Sequence, residues 1–423
     1  MRFCPVFVCL AFAGFCACGG GTSPPPLGGG EASGSTTNGG SGNVSGAGGT
    51  GSSMASGSGA STSGSSTGVA GGGSGTGAGS ASGSSDGGLG NDGASGDGAS
   101  GGSGRDGGHI GTYPPISAGA IGNAVLVSSQ FYFTEGPVWD PSKNVLYFTD
   151  INAQQSGRTD GAIYRLTPPN TIDVFLEPSG SCDGIGLDPQ GNIIAAGFPA
   201  RNAWRLSSSK SMQVFSPCSG GAGTCFMGTE INTPDDITSR SDGVIYFTDP
   251  TFANGGQGFP AASLTLGFQG VYRITTDGML HVEDKTTSGP NGVNLSPDEK
   301  TLYVAYTTAN QVSKFSVAAD GSLGNKTFFA SANLADSMCV DAGGNVYVGT
   351  SGGLAVFTPA GQAVKTISAG GQIVTNCAFG GTDQKTLYIT SHSSGTLVGA
   401  PTPGSSSLYR VDNMPVPGIP GQN

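Results

Sequence analysis

Charge is scarce in this chain. Only 11% of its 423 residues are Asp, Glu, Lys or Arg, and 17 Lys and Arg stand against 28 Asp and Glu, for a formal net charge of −11. That balance excludes a basic nucleic-acid binder and leaves small neutral molecules or cations as the suitable partners. Histidine is scarcer still, with His109, His281 and His392 as the whole complement, so a histidine-rich zinc site is excluded. No stretch sustains an apolar period of 3.6 residues, which rules out a helical bundle and a coiled coil. Between residues 19 and 108 there is no Phe, Tyr or Trp at all, and 36 of those 90 positions are Gly. A segment of that composition buries too little apolar surface to offset the entropy of ordering it.

Three domains follow. Residues 1–18, MRFCPVFVCLAFAGFCAC, carry one Arg and an apolar run too short to remain in a bilayer, as an export signal does. Phe15-Cys16-Ala17-Cys18 resembles a bacterial lipobox, which implies cleavage before Cys18 and lipidation of that cysteine. Residues 19–108 form a disordered Gly/Ser-rich linker with a random-coil reach of roughly 50 Å. Two stretches in it, 87–92 and 101–106, match a calcium-binding nonapeptide pattern, but they lie 14 residues apart where stacking needs nine, so no roll can form. Residues 109–423 are long enough for one large folded domain. The expected molecule is a monomer, extracytoplasmic and held to a membrane by its lipid.

Within the folded domain one phrase recurs: a polar residue, a half-apolar strand, a tight polar turn, then an apolar strand. Its copies begin at Glu135, Asp183, Asp235, Asn291, Asp336 and Asn376, at spacings of 48, 52, 56, 45 and 40 residues. Tyr147, Tyr246, Tyr303, Tyr347 and Tyr388 lie 11 or 12 positions after the polar residue, and Ile194 holds that place in the remaining copy. Hairpin repeats of this length predict an all-β fold, a six-bladed β-propeller with one four-stranded blade per copy. Residues 124–127 and 407–411 read as strands from the two chain ends that share a blade and close the ring.

The innermost strand of each propeller blade lines the central channel, so the six polar residues are expected to form a ring there. Four carboxylates and two amides with no Lys or Arg among them repel one another unless a cation sits between them. An all-oxygen set suits Ca²⁺ first, then Mg²⁺ or Mn²⁺, with Zn²⁺ a poorer alternative.

These residues also resemble a known family, the senescence-marker-protein and gluconolactonase (LRE-like) propellers, relatives of diisopropylfluorophosphatase. The likeness rests on Glu135-Gly136-Pro137-Val138-Trp139, Pro234-Asp235-Asp236, Tyr246-Phe247-Thr248-Asp249-Pro250, Pro290-Asn291-Gly292-Val293, Asp336-Ser337-Met338 and Thr375-Asn376-Cys377. The resemblance implies Glu135, Asn291 and Asp336 as metal ligands, with Asp235 at a position that meets metal or substrate. It implies Asp336 as the catalytic carboxylate, and Asp183, Asn376 and Asp236 on the substrate side. The activity implied is divalent-metal-dependent hydrolysis of a lactone or related ester. The alternatives are a non-catalytic sugar- or ligand-binding propeller and a phosphotriesterase of the diisopropylfluorophosphatase type. One departure bears on substrate: the family's Arg-x-Asn-Asp reads Thr233-Pro234-Asp235-Asp236, so an arginine is missing.

Remaining motifs carry less. Residues 251–269 form a long apolar insertion that could cover the channel mouth. Gly349-Thr350-Ser351-Gly352-Gly353 matches a nucleophile elbow, but no helical pattern follows it. His281 and His392 read as packing or surface residues. Cys218 and Cys225, seven residues apart in a Gly-rich loop, are expected to pair, whereas Cys182, Cys339 and Cys377 are expected to fill the packing between blades.

Overall fold

The computed structural model describes residues 112–151, 161–198, 200–251, 266–393 and 402–422. The signal with Cys18, the linker 19–108 and residues 252–265 of the insertion lie outside them.

The described residues form six four-stranded antiparallel sheets and one two-stranded ribbon, with a single 3-10 turn at Ala118–Ala120 and no α-helix. The sheets are blades I to VI of a propeller. Their inner strands are Thr134–Asp140, Cys182–Leu187, Ile237–Ser239, Pro290–Leu295, Met338–Val340 and Ile373–Gly380, so all six phrases identified in the sequence open a blade. In blade VI the strands Ile373–Gly380, Thr386–His392 and Ser406–Val411 come from the C-terminal end, and Val125–Phe131 adds the outermost strand from the N-terminal side. The ring closes as the sequence predicts.

Burial runs outward along each blade. Inner strands are buried at every position because their sheets are covered on both faces, whereas outer strands such as Thr171–Leu176 and Leu323–Ser331 alternate with solvent. The core accordingly divides into six clusters, one at each seam between neighbouring blades. The repeated tyrosines fill these seams: Tyr147 faces blade II, Tyr246 faces blade IV and Tyr388 stacks on Trp139 of blade I with ring centroids 6.0 Å apart.

The glycine after the ring residue has a geometric cause. A Cβ on Gly136 would lie 2.5 Å from the Asp183 carbonyl oxygen, and one on Gly292 would lie 2.6 Å from the Asp336 carbonyl oxygen. At these two seams the inner strands of adjacent blades therefore meet backbone to backbone, and no side chain fits at Gly136 or Gly292.

Cys218 and Cys225 form the expected disulfide, beside the ribbon that pairs Cys225–Phe226 with Thr229–Glu230. Cys182 is free and buried. Cys339 and Cys377 correct the sequence reading: they are joined to each other across the seam between blades V and VI. Gly349 to Gly353 is a hairpin turn between strands, as the lack of a following helix foretold.

Candidate active site

Ring residues are held in place by hydrogen bonds to their own backbone. The Thr149 hydroxyl of blade I donates to the Asp183 carbonyl at 2.8 Å, the Thr248 hydroxyl of blade III donates to the Asn291 carbonyl, and Gly184 N donates to the Asp235 carbonyl at 2.7 Å. Each blade thus clamps the ring residue of the next and leaves its side chain free for other work.

Five carboxylates meet in this region. Burial raises the Glu135 carboxyl well above the usual range, and the Asp336, Asp183, Asp235 and Asp236 charges raise it further. Asp183 and Asp235 are raised for the same two reasons, burial first and the neighbouring carboxylates second. Burial pushes Asp336 up to about 7, against a stabilising hydrogen bond from the Asn291 side chain. The charges acting on these groups are chiefly one another's, so the ring carboxylates ionise together only where positive charge offsets their repulsion. Asp336 is the most open of the ring carboxylates, half-buried where Glu135, Asp183 and Asp235 are 4%, 7% and 6% exposed.

Beneath the ring lies a second layer. Asp236, expected on the substrate side, is fully buried. Its Oδ1 accepts from Ile237 N at 2.9 Å, its Oδ2 accepts from Val293 N of blade IV at 3.0 Å, and Ser337 also hydrogen-bonds it. Burial raises it to about 7. The Ser337 hydroxyl reaches the Asn291 Oδ1 at 3.4 Å, which links Asp236 to the Asn291–Asp336 pair. No sequence motif marks Ser337 for this link.

Asn376 also departs from expectation. Its backbone role in the ring is taken by Thr375, whose carbonyl accepts from Ser337 N at 2.9 Å as the Asp235 carbonyl accepts from Gly184 N. The cause is a bulge: blades II and IV place it over the ring residue itself, between Cys182 and Ile185 and between Pro290 and Val293, and blade VI places it over Thr375, between Val374 and Asn376. Asn376 is fully buried, its Oδ1 accepting from Cys377 N at 2.7 Å and its Nδ2 without a hydrogen-bond partner. The sixth ring position is Thr375, with its hydroxyl spent on the Thr134 carbonyl and the Thr390 hydroxyl.

Thr233, at the position where the family resemblance leads one to expect arginine, donates its hydroxyl to the Pro250 carbonyl at 2.7 Å and brings no cation to the channel. His392 is buried and stacked on Phe133 at 4.5 Å, and burial lowers it to about 4, so it serves packing.

The ring's donor chemistry bears on its fit to a divalent ion. Among the described residues no three His, Cys, Asp or Glu side chains form a ready-made cage by themselves. The donors that converge are mixed, with the Asn291 amide hydrogen-bonded to Asp336 and Asp336 acting electrostatically on Glu135. An all-oxygen set of carboxylates and an amide, mutually repelling and buried, fits a hard cation.

Residues 133–393 match the model of the SMP-30/gluconolactonase/LRE-like region. The chain belongs to that family. Among its relatives, a gluconolactonase of Zymomonas mobilis is 28% identical over 289 residues, covering 63% of this chain and 78% of that one. A pentonolactonase of Haloferax volcanii is 25% identical over 276 residues, covering 63% and 84%. Among solved structures of this SMP-30/gluconolactonase type, a Xanthomonas campestris gluconolactonase superposes with a TM-score of 0.57 at 28% identity, covering 70% of this chain and 89% of that one. A calcium-binding regucalcin of Agrobacterium tumefaciens shares the fold, with a TM-score of 0.53 at 15% identity over 70% of this chain and 95% of that one.

Proposed function

We propose that the propeller hydrolyses a lactone or a related carboxylic ester in its central channel. The observation that carries this reading is the Asn291–Asp336 hydrogen-bonded pair set among buried, mutually repelling carboxylates, in a chain whose relatives include named lactonases. Glu135, Asn291 and Asp336 hold a divalent cation, Ca²⁺ by donor type, with Asp235 beside them. When bound, that ion supplies Lewis-acid polarisation of the ester carbonyl and offsets the ring's negative charge.

The chain's own residues do the rest. Asp336, the most open ring carboxylate, accepts the proton of the attacking water at its carboxylate oxygen. As the ring C–O bond of the lactone breaks, that proton passes to the departing alkoxide, and the product is a hydroxy acid. Burial raises the Asp336 carboxyl and the positive charge of a bound cation would lower it again, which favours the ionised form that takes a proton from water. Asn291 orients Asp336 by its hydrogen bond. Ser337 and Asp236 brace Asn291 from below. Asp183 faces the remaining side of the channel, where a substrate hydroxyl can donate to it. Because Thr233 supplies no positive charge, neutral lactones suit the site better than anionic ones.

The test is acid release from a panel of lactones in a pH-stat, with and without chelator. Hydrolysis that chelator stops and added Ca²⁺ restores supports the reading; silence across the panel turns it toward a ligand-binding propeller. The two disulfides support an oxidising, extracytoplasmic location, consistent with export through residues 1–18 and anchoring at Cys18. Mass measurement of the mature N-terminus tests the anchor.

A further inference from the structure

Among the described residues, the seam between blades V and VI is the one crossed by a disulfide. Cys339 sits in the inner strand Met338–Val340 and Cys377 in the inner strand Ile373–Gly380, both fully buried. Asp336 and Ser337 enter the first strand three and two residues before Cys339, and Thr375 and Asn376 directly precede Cys377. Nearer the channel the same two strands are joined by the bond from Ser337 N to the Thr375 carbonyl. The packing there is tight enough that a Cβ on Gly349 would lie 2.6 Å from two blade VI carbonyl oxygens.

Blade VI is also the closing blade, assembled from distant parts of the chain. Its outermost strand pairs through two register shifts, and its far seam with blade I is packed around Trp139 and tied by Thr134, whose N donates to the Ser406 hydroxyl at 2.8 Å and whose carbonyl accepts from the Thr375 hydroxyl at 2.9 Å. The segment that follows it ties blade VI to blade V again: Met414 N bonds the Lys385 carbonyl of blade VI at 2.9 Å, and Ala342 N of blade V bonds the Pro417 carbonyl at 2.8 Å. The wall that carries Asp336 therefore abuts the blade on which closure of the ring depends.

The geometry points to the Cys339–Cys377 disulfide as the positioning device for Asp336: it clamps the inner strand of blade V to the closing blade and so fixes the Asp336 carboxylate against Asn291. This assignment rests on the lactonase reading. Displacement of a reacting group by about 1 Å can cost ~100-fold in rate, so a clamp three residues away acts where small movements matter most. Since both sulfurs are buried, the clamp is permanent and forms while the chain folds in an oxidising compartment.

The experiment compares the full chain with C339V/C377A and with C218A/C225A, which removes the disulfide remote from the ring. For C339V/C377A we expect an unchanged circular dichroism spectrum, kcat lowered about tenfold or more with KM within about twofold, and Ca²⁺ affinity lowered about tenfold by calorimetry. C218A/C225A should leave all of these as in the wild type. If C339V/C377A keeps wild-type kcat and Ca²⁺ affinity and loses only Tm, the disulfide is a structural brace and the proposal is overturned. Should C339V/C377A fail to fold, C218A/C225A refolded with and without reductant isolates the same bond, and the same readouts decide. A wild-type chain that binds Ca²⁺ but turns over no lactone defeats the lactonase reading alone, and the Ca²⁺ affinities then judge the clamp. A wild-type chain that does neither leaves Asp336 nothing to be positioned for and defeats both.

Discussion

The Asn291 side chain is hydrogen-bonded to the Asp336 carboxylate across the seam between blades IV and V, and the Ser337 hydroxyl reaches the Asn291 amide oxygen at 3.4 Å. The pair joins two distant segments because each opens an inner strand at the same height in the channel. Its orientation is set from below, since Asp236 takes the Val293 amide of blade IV and bonds Ser337 of blade V. One buried carboxylate thus spans three blades under the site.

Asp336→Asn should remove the proton acceptor while keeping the shape and the hydrogen bond to Asn291. We expect kcat for the best lactone of the panel to fall by about 10²–10⁴. The melting temperature should stay at or above that of the wild type, because a buried charge has been removed. Activity within twofold of the wild type would take Asp336 out of the chemistry.

Gly292→Ala tests the backbone contact that closes the ring. Its Cβ would lie 2.6 Å from the Asp336 carbonyl oxygen and 2.5 Å from the Ser337 Cα, both backbone atoms that cannot swing aside. We expect a stability loss of about 1–3 kcal/mol by chemical denaturation, together with reduced activity, because the strand that must give way carries Asp336. A neutral effect on both would show that the inner strands have slack.

Much of this arrangement is legible in the sequence, for a physical reason. Six seams of the same kind demand similar residue types at the same places, so the second strands carry a tyrosine in five copies and the inner strands a polar-Gly step in three. What is hidden depends on register. A bulge shifts one residue without changing the apolar pattern, so Asn376 looked like the sixth ring member while Thr375 holds that place. Cys377 was rightly assigned to the packing between blades, but pairing it with Cys339 required knowing that both sulfurs stand at one level on adjacent strands. Asp236 was expected on the substrate side, and strand alternation alone does not reveal that both its oxygens are occupied by backbone amides.

Trp139→Ala probes closure of the propeller. The indole is 1% exposed, stacks on Tyr388 and fills the space above Gly380, where a Cβ would lie 2.6 Å from its ring. We expect a loss of about 3–5 kcal/mol, measured by urea denaturation. Blade VI should open first, seen as faster hydrogen exchange in Thr386–His392 and Ser406–Val411 than in blade III. Uniform acceleration in all blades would mean that the propeller opens as one unit.

The carboxylate ring makes stability depend on pH and on cation in a direction that can be worked out. In the unfolded chain these groups ionise near pH 4, whereas in the folded chain burial and mutual repulsion raise Glu135, Asp183 and Asp235, and Asp236 and Asp336 titrate at about 7. Between those limits the folded state holds more protons than the unfolded state, so stability falls as pH rises and levels off once the folded groups have ionised. In chelator, Tm should therefore be lower at pH 8 than at pH 5, by roughly 5 °C or more. A bound divalent cation opposes the repulsion that drives the loss, so millimolar Ca²⁺ should restore Tm at pH 8 and do little at pH 5, where protons occupy the carboxylates. Differential scanning calorimetry at the two pH values, with and without Ca²⁺, measures all four states. If Tm in chelator rises from pH 5 to pH 8, the ring carboxylates are not held protonated in the folded protein, and the electrostatic case for a cation among them falls with that result.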